Sequence, residues 1–72
     1  MTGRLLAYVL RDPDGREVGA RHAEKRRAFA AALAVSSGGG PVTLWWVDDI
    51  GRPKVMLGTA EDGRFRPSEH FD

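Results

Sequence analysis

One segment alone in this chain reads as a convincing helix, and its limits constrain everything around it. It runs from about His22 to Val35 through Ala28-Phe29-Ala30-Ala31-Ala32-Leu33. Ser36-Ser37-Gly38-Gly39-Gly40-Pro41 then supplies a glycine C-cap, a flexible joint and a proline that cannot continue a helix. The remaining apolar runs are short and bounded by turn residues, so the helix must pack on strands.

Turn chemistry places those strands. Asp12-Pro13-Asp14-Gly15 has Asp, Pro and Gly at the first, second and fourth positions of a type I turn with a left-handed exit. It predicts a hairpin of Arg4–Arg11 with Arg16–Ala20, the second strand short because Gly19 interrupts it. After the helix, Val42–Val47 is rich in β-branched and aromatic residues, and Ile50-Gly51-Arg52 separates it from Lys54–Leu57 as a second hairpin. Glu61-Asp62-Gly63-Arg64-Phe65 allows a last turn and a short fifth strand. The recurring Gly-Arg steps are turn chemistry and not a repeat, because the segments between them do not match.

Hairpin, helix, hairpin (ββαββ) defines an α+β class, β-grasp-like, with one antiparallel or mixed sheet of four to five strands and a single helix on one face. A single domain over residues 1–66 and a polar tail over 67–72 are expected. Leu5-Leu6-Ala7-Tyr8-Val9-Leu10 is apolar at both parities, as a central strand would be. Its neighbour is either the last strand, as in a β-grasp, or a strand of a plain antiparallel meander after the helix.

A domain of 72 residues buries only about 60% of its unfolded surface, so a partner or a second copy would add useful stability. With no cysteine there is neither a disulfide nor a thiolate metal site, which fits a reducing compartment, and the cytoplasm is the expected location. The run Leu5–Leu10 is too short for a signal-peptide core or a membrane span, so a soluble, unprocessed protein without membrane contact is expected. Net charge is +1 but uneven: seven Arg or Lys against four acids in residues 1–40 give +3, and four against six in residues 41–72 give −2. That excess is small for a nucleic-acid binder, and the lack of Asn and Gln removes bidentate adenine readout.

Two surfaces stand out as candidate contacts. Arg21, His22, Lys25, Arg26 and Arg27 crowd the helix start, where the helix dipole favours acids, so cations there cost stability unless an anion lies nearby. The candidate partner-binding residues of this cluster are Arg21, Lys25, Arg26 and Arg27; the bland reading is a solvated helix start. The second surface follows from the layers: one helix covers one sheet face, and Trp45 and Trp46, adjacent on a strand, point to opposite faces. If Val42, Leu44, Trp46, Val55 and Leu57 meet the Phe29–Leu33 stripe of the helix, then Tyr8, Thr43, Trp45, Val47, Lys54 and Met56 form an open face suited to a protein partner. Either that face stays open, or the tail around Phe65 and Phe71 folds over it.

No residue pattern supports catalysis, metal binding or a cofactor. Asp12, Asp14 and Glu17 imitate a calcium loop, but Gly15 is misplaced and the closing bidentate Glu is missing. His22 and His70 lack ligand spacing, the triple glycine follows a helix where a phosphate loop precedes one, and Ser36, Ser37 and Ser68 have no positioned base. The expectation is a protein that is not an enzyme.

The layout of strand, basic-to-alanine helix, strand pair and closing Glu61-Asp62-Gly63-Arg64-Phe65 resembles small phage-encoded anti-CRISPR proteins that inhibit type I effector complexes, with the pattern covering residues 42–66. The resemblance implies a non-enzymatic inhibitor, encoded by a phage or mobile element, that occupies a host crRNA-guided complex and blocks target DNA through charged and aromatic contacts. It carries over no family-specific residue. Three functions remain: a protein-binding module or inhibitor, a nucleic-acid binder in which the helix-start cations meet phosphates and Trp45 or Tyr8 stacks on bases, and a homodimer that pairs open faces.

Overall fold

A computed structural model describes residues 7–47 and 53–71. The elements follow the order β1 (Ala7–Arg11), β2 (Glu17–His22), α1 (Lys25–Gly39), β3 (Val42–Val47), β4 (Pro53–Glu61) and β5 (Arg64–Pro67). They build one antiparallel five-stranded sheet in the order β2-β1-β3-β4-β5 with the helix on one face. The α+β class is as expected, and β1 is central. Its neighbour is β3 and not the last strand, so the meander is the arrangement that forms. The expected start of the first strand, Arg4–Leu6, and the Ile50-Gly51-Arg52 turn lie outside the described residues.

The first hairpin closes as its sequence dictates. Gly15 donates its N–H to the Asp12 carbonyl at 2.9 Å with a φ of +87°, while the Asp12 carboxylate accepts the N–H groups of Asp14 and Arg16 at 3.0 and 2.9 Å. β2 runs on to His22, past the expected end at Ala20, because Gly19 adopts a φ of +73° and bulges the strand instead of ending it. The pairing resumes at Tyr8 with His22. At the far end Asp62 (φ +55°) and Gly63 (φ +75°) form the tight turn between β4 and β5, and the short fifth strand follows.

The helix begins and ends later than its sequence predicts. His22 belongs to β2 and Glu24 is extended at φ −115°, so helical geometry starts at Lys25, with no side-chain cap. At the other end the Ser36 and Ser37 hydroxyls donate to the Leu33 carbonyl at 3.1 and 2.9 Å, within a helix that runs on to Gly39 before Gly40 (φ +96°) breaks it. The buried stripe is Ala28, Ala32 and Ser36, one position round from the expected Phe29–Leu33 stripe. Small side chains there let the helix lie close on Leu10, Val42, Leu44, Leu57 and Ala60.

The tail is part of this layer and does not cross to the other face. Phe71 packs on Phe29 and Phe65 with ring centroids 5.9 and 5.0 Å away, and Phe29 meets Phe65 edge-on at 4.9 Å. Ser68 fixes the chain between β5 and Phe71, its N–H donating to the Leu57 carbonyl at 2.8 Å and its hydroxyl to that of Met56 at 2.6 Å. Residues 68–71, expected as a polar tail, are thus bound into the domain.

A groove beside the helix and a polar row on the opposite face

Because α1 starts only at Lys25, it leaves one end of its own sheet face uncovered. Tyr8 on β1 pairs with Trp46 on β3, and Trp46 with Val55 on β4, so all three point to the helix side. With Leu57 they floor a groove of about 270 Å³ whose walls are Lys25, His70 and Phe71. The Lys25 ammonium donates to the Phe71 carbonyl and lies 4.6 Å from the centroid of its ring, so it clasps the tail to the helix start.

The expected basic cluster is therefore not one surface. Arg21 sits in β2, where it pairs with Glu17 at 2.7 Å; the hydrogen bond and charge of that carboxylate raise the affinity of the exposed guanidinium for its proton. Lys25 is held by the tail, and Arg27 pairs with Glu24 at 2.9 Å. Arg26 is exposed and has no partner among the described residues.

The expected open face is also corrected at two positions. Tyr8 lies on the helix side, since its partner across the ladder is Trp46 and not Trp45. Val47 does point away from the helix, yet it is only 1% exposed, and its diagonal neighbour Val9 is 2% exposed. An uncovered valine would keep far more of its surface, so this end of the face is not free. Trp45, Thr43 and Met56 are half-buried on that face, and Lys54 is exposed where β4 shifts register.

Trp45 is locked in place. Its indole N–H donates to Thr43 Oγ1 at 2.7 Å, Thr43 donates to the Arg11 carbonyl at 3.3 Å, and the Arg11 guanidinium lies 5.6 Å from the indole centroid. Arg11 is itself held by two bonds to the Gly15 carbonyl, at 3.0 and 2.7 Å. From there a row of directly paired residues crosses the sheet: Arg11 with Thr43, Thr43 with Thr59, and Thr59 with Arg66.

The structure thus joins Tyr8 and Lys25, expected on separate surfaces, in one groove with Trp46, Val55, Leu57, His70 and Phe71, which the sequence reading did not place in a site. Adjacent Trp residues were the signal for Trp46: one of them had to face the helix, and a helix shorter than its sheet leaves that residue at an edge. Among the described residues no helix is long and apolar enough to cross a membrane, and no group of three or more His, Asp and Glu is placed to hold a metal ion. Comparison with protein-family models, curated proteins and solved structures finds no match to this chain.

Proposed function

We propose that the protein is a small non-enzymatic binding module whose helix-side groove receives an apolar side chain from a segment of a partner protein. The groove itself carries this reading: Tyr8, Trp46, Val55 and Leu57 supply an apolar, largely aromatic floor, Phe71 an aromatic wall, and Lys25 a cationic rim. Tyr and Trp around a desolvated centre are the usual anchors of protein interfaces. Inhibition of a larger nucleic-acid-processing complex, the role implied by the anti-CRISPR resemblance, is one form such a module takes, and it rests on that resemblance alone. A cytoplasmic setting belongs to the same reading.

A photo-crosslinking residue at Val55, compared in cells with the same residue at exposed Arg16 on the far hairpin, tests it. A discrete adduct with one other protein at position 55 and not at 16, lost on Trp46→Ala with the fold intact by circular dichroism, is the expected result. Identical adducts at both positions, or an adduct with a second copy of this chain, would overturn it, the latter in favour of the homodimer.

A further inference from the structure

The sheet face away from the helix carries a different surface at the end opposite Val9 and Val47. Register places Arg11, Thr43, Thr59 and Arg66 side by side on β1, β3, β4 and β5. With strands about 4.8 Å apart, the row spans about 14 Å from one guanidinium-bearing Cα to the other. Arg64, two positions from Arg66 on β5, points to the same side. A shallow hollow runs beside these residues, lined by Thr59, Arg64 and Arg66 and by the acids Glu61 and Asp62 among others.

The acids near the row are not paired with the arginines of β5 among the described residues. Glu17, which pairs with Arg11 on the ladder, is committed to Arg21 at 2.7 Å. Glu61 opposes Arg64 across the hairpin and Asp62 lines the same hollow, yet neither Arg64 nor Arg66 has a carboxylate within salt-bridge distance among the described residues. Asp12 spends its carboxylate on the turn. Next to the polar row, and in line with buried Val9, lie Trp45 and Met56, paired across β3 and β4, half-buried and on the same face. The Thr43 hydroxyl is spent on the Arg11 carbonyl, so the donors left for phosphates are the guanidinium groups and the Thr59 hydroxyl, and the aromatic and thioether strip beside them offers a stacking surface.

We propose that this row, Arg11-Thr43-Thr59-Arg66 with Arg64 and the Trp45–Met56 strip, binds single-stranded nucleic acid, the phosphates meeting the guanidinium groups and a base lying on the strip. The two arginines of β5 do most of the neutralising, because Arg11 is already bonded to the Gly15 carbonyl and drawn toward the Trp45 ring, 5.6 Å from its centroid. A duplex keeps its base faces inside the stack, so only a single strand can use both halves of the surface. This surface is distinct from the helix start: Arg26 and Arg27 lie on α1, on the other side of the sheet.

Fluorescence anisotropy of a short labelled oligothymidylate and of a duplex of equal length, at about 25 mM and about 200 mM salt, reads this directly. The single strand should bind several-fold tighter than the duplex at low salt and weaken at least about 10-fold at high salt. Arg64→Ala with Arg66→Ala should cost about 10-fold at low salt and flatten the salt slope by about 1.4, two contacts' worth. Replacing both with Lys should retain most of the binding, and Arg26→Ala with Arg27→Ala should change nothing. Absence of single-strand binding at low salt, preference for the duplex, or equal losses in the two alanine pairs would overturn the proposal.

Discussion

Ser36 shows how a single polar side chain can hold two parts of a small domain together. It is 1% exposed, donates to the Leu33 carbonyl, and accepts the N–H of Gly63 at 3.0 Å, fastening the end of the helix to the β4–β5 turn. Ser36→Ala leaves that N–H without its partner; the cost should be about 1 kcal/mol after the better helix propensity of Ala, seen as a lower urea midpoint at unchanged slope. Gly58 is constrained more severely. A Cβ there would stand 2.7 Å from both Phe65 Cε2 and the Arg66 carbonyl oxygen, and the second cannot yield without moving β5. Gly58→Ala should therefore destabilise by about 2–3 kcal/mol in chemical denaturation, while Gly38→Ala, with open space around it, should not.

The helix start argues the opposite for charge. Arg26 is exposed, and the Arg27–Glu24 pair has side chains 74% and 56% exposed, the class of ion pair that contributes little. Two cations also oppose the helix dipole at this end, so Arg26→Ala with Arg27→Ala should leave the melting temperature unchanged or slightly higher; a clear fall would show that these arginines support the fold. That the cluster divides between β2 and α1 could not be read locally. His22 is a strand residue because Tyr8 pairs with it across a bulge, a contact between distant positions that helix propensity does not register. The turns were legible, since Asp12-Pro13-Asp14-Gly15 and Asp62-Gly63 carry their own backbone requirements. The helix end was not, because serine and glycine usually announce a stop, whereas Ser36 is buried and fastened to Gly63 of the β4–β5 turn, a contact between distant positions. Nor was the orientation of Tyr8: a strand apolar at both parities gives no phase, and only the register with Trp46 supplies it. Alternation made legible only that Trp45 and Trp46 face opposite sides of the sheet; that Trp46 and Val55 are the helix-side pair was a condition, and the register decides it.

With one helix on a five-stranded sheet, the domain has little apolar material to spare, and the last residues contribute a share that their polarity conceals. Phe71 closes the trio with Phe29 and Phe65, its carbonyl accepts from Lys25, and its ring forms one wall of the groove. A domain of this size is worth only about 4–10 kcal/mol, so one half-buried ring is a substantial fraction of it. Phe71→Ala should cost about 2 kcal/mol, less than a fully buried phenylalanine, and lower the thermal midpoint by about 8–16 °C in circular dichroism at 222 nm. Glu69→Ala, at an exposed side chain two residues away, should leave the midpoint within about 2 °C and controls for any general effect of altering this end of the chain. Phe71→Leu separates packing from ring chemistry: it should recover most of the stability while losing the cation–π contact with Lys25. If Phe71→Ala melted with the parent, the tail would be a bystander and the groove would lack a fixed wall. A large drop with rescue by Leu would instead make the closing segment a structural element that shapes the groove, with Lys25 clasping that segment while it lines the rim.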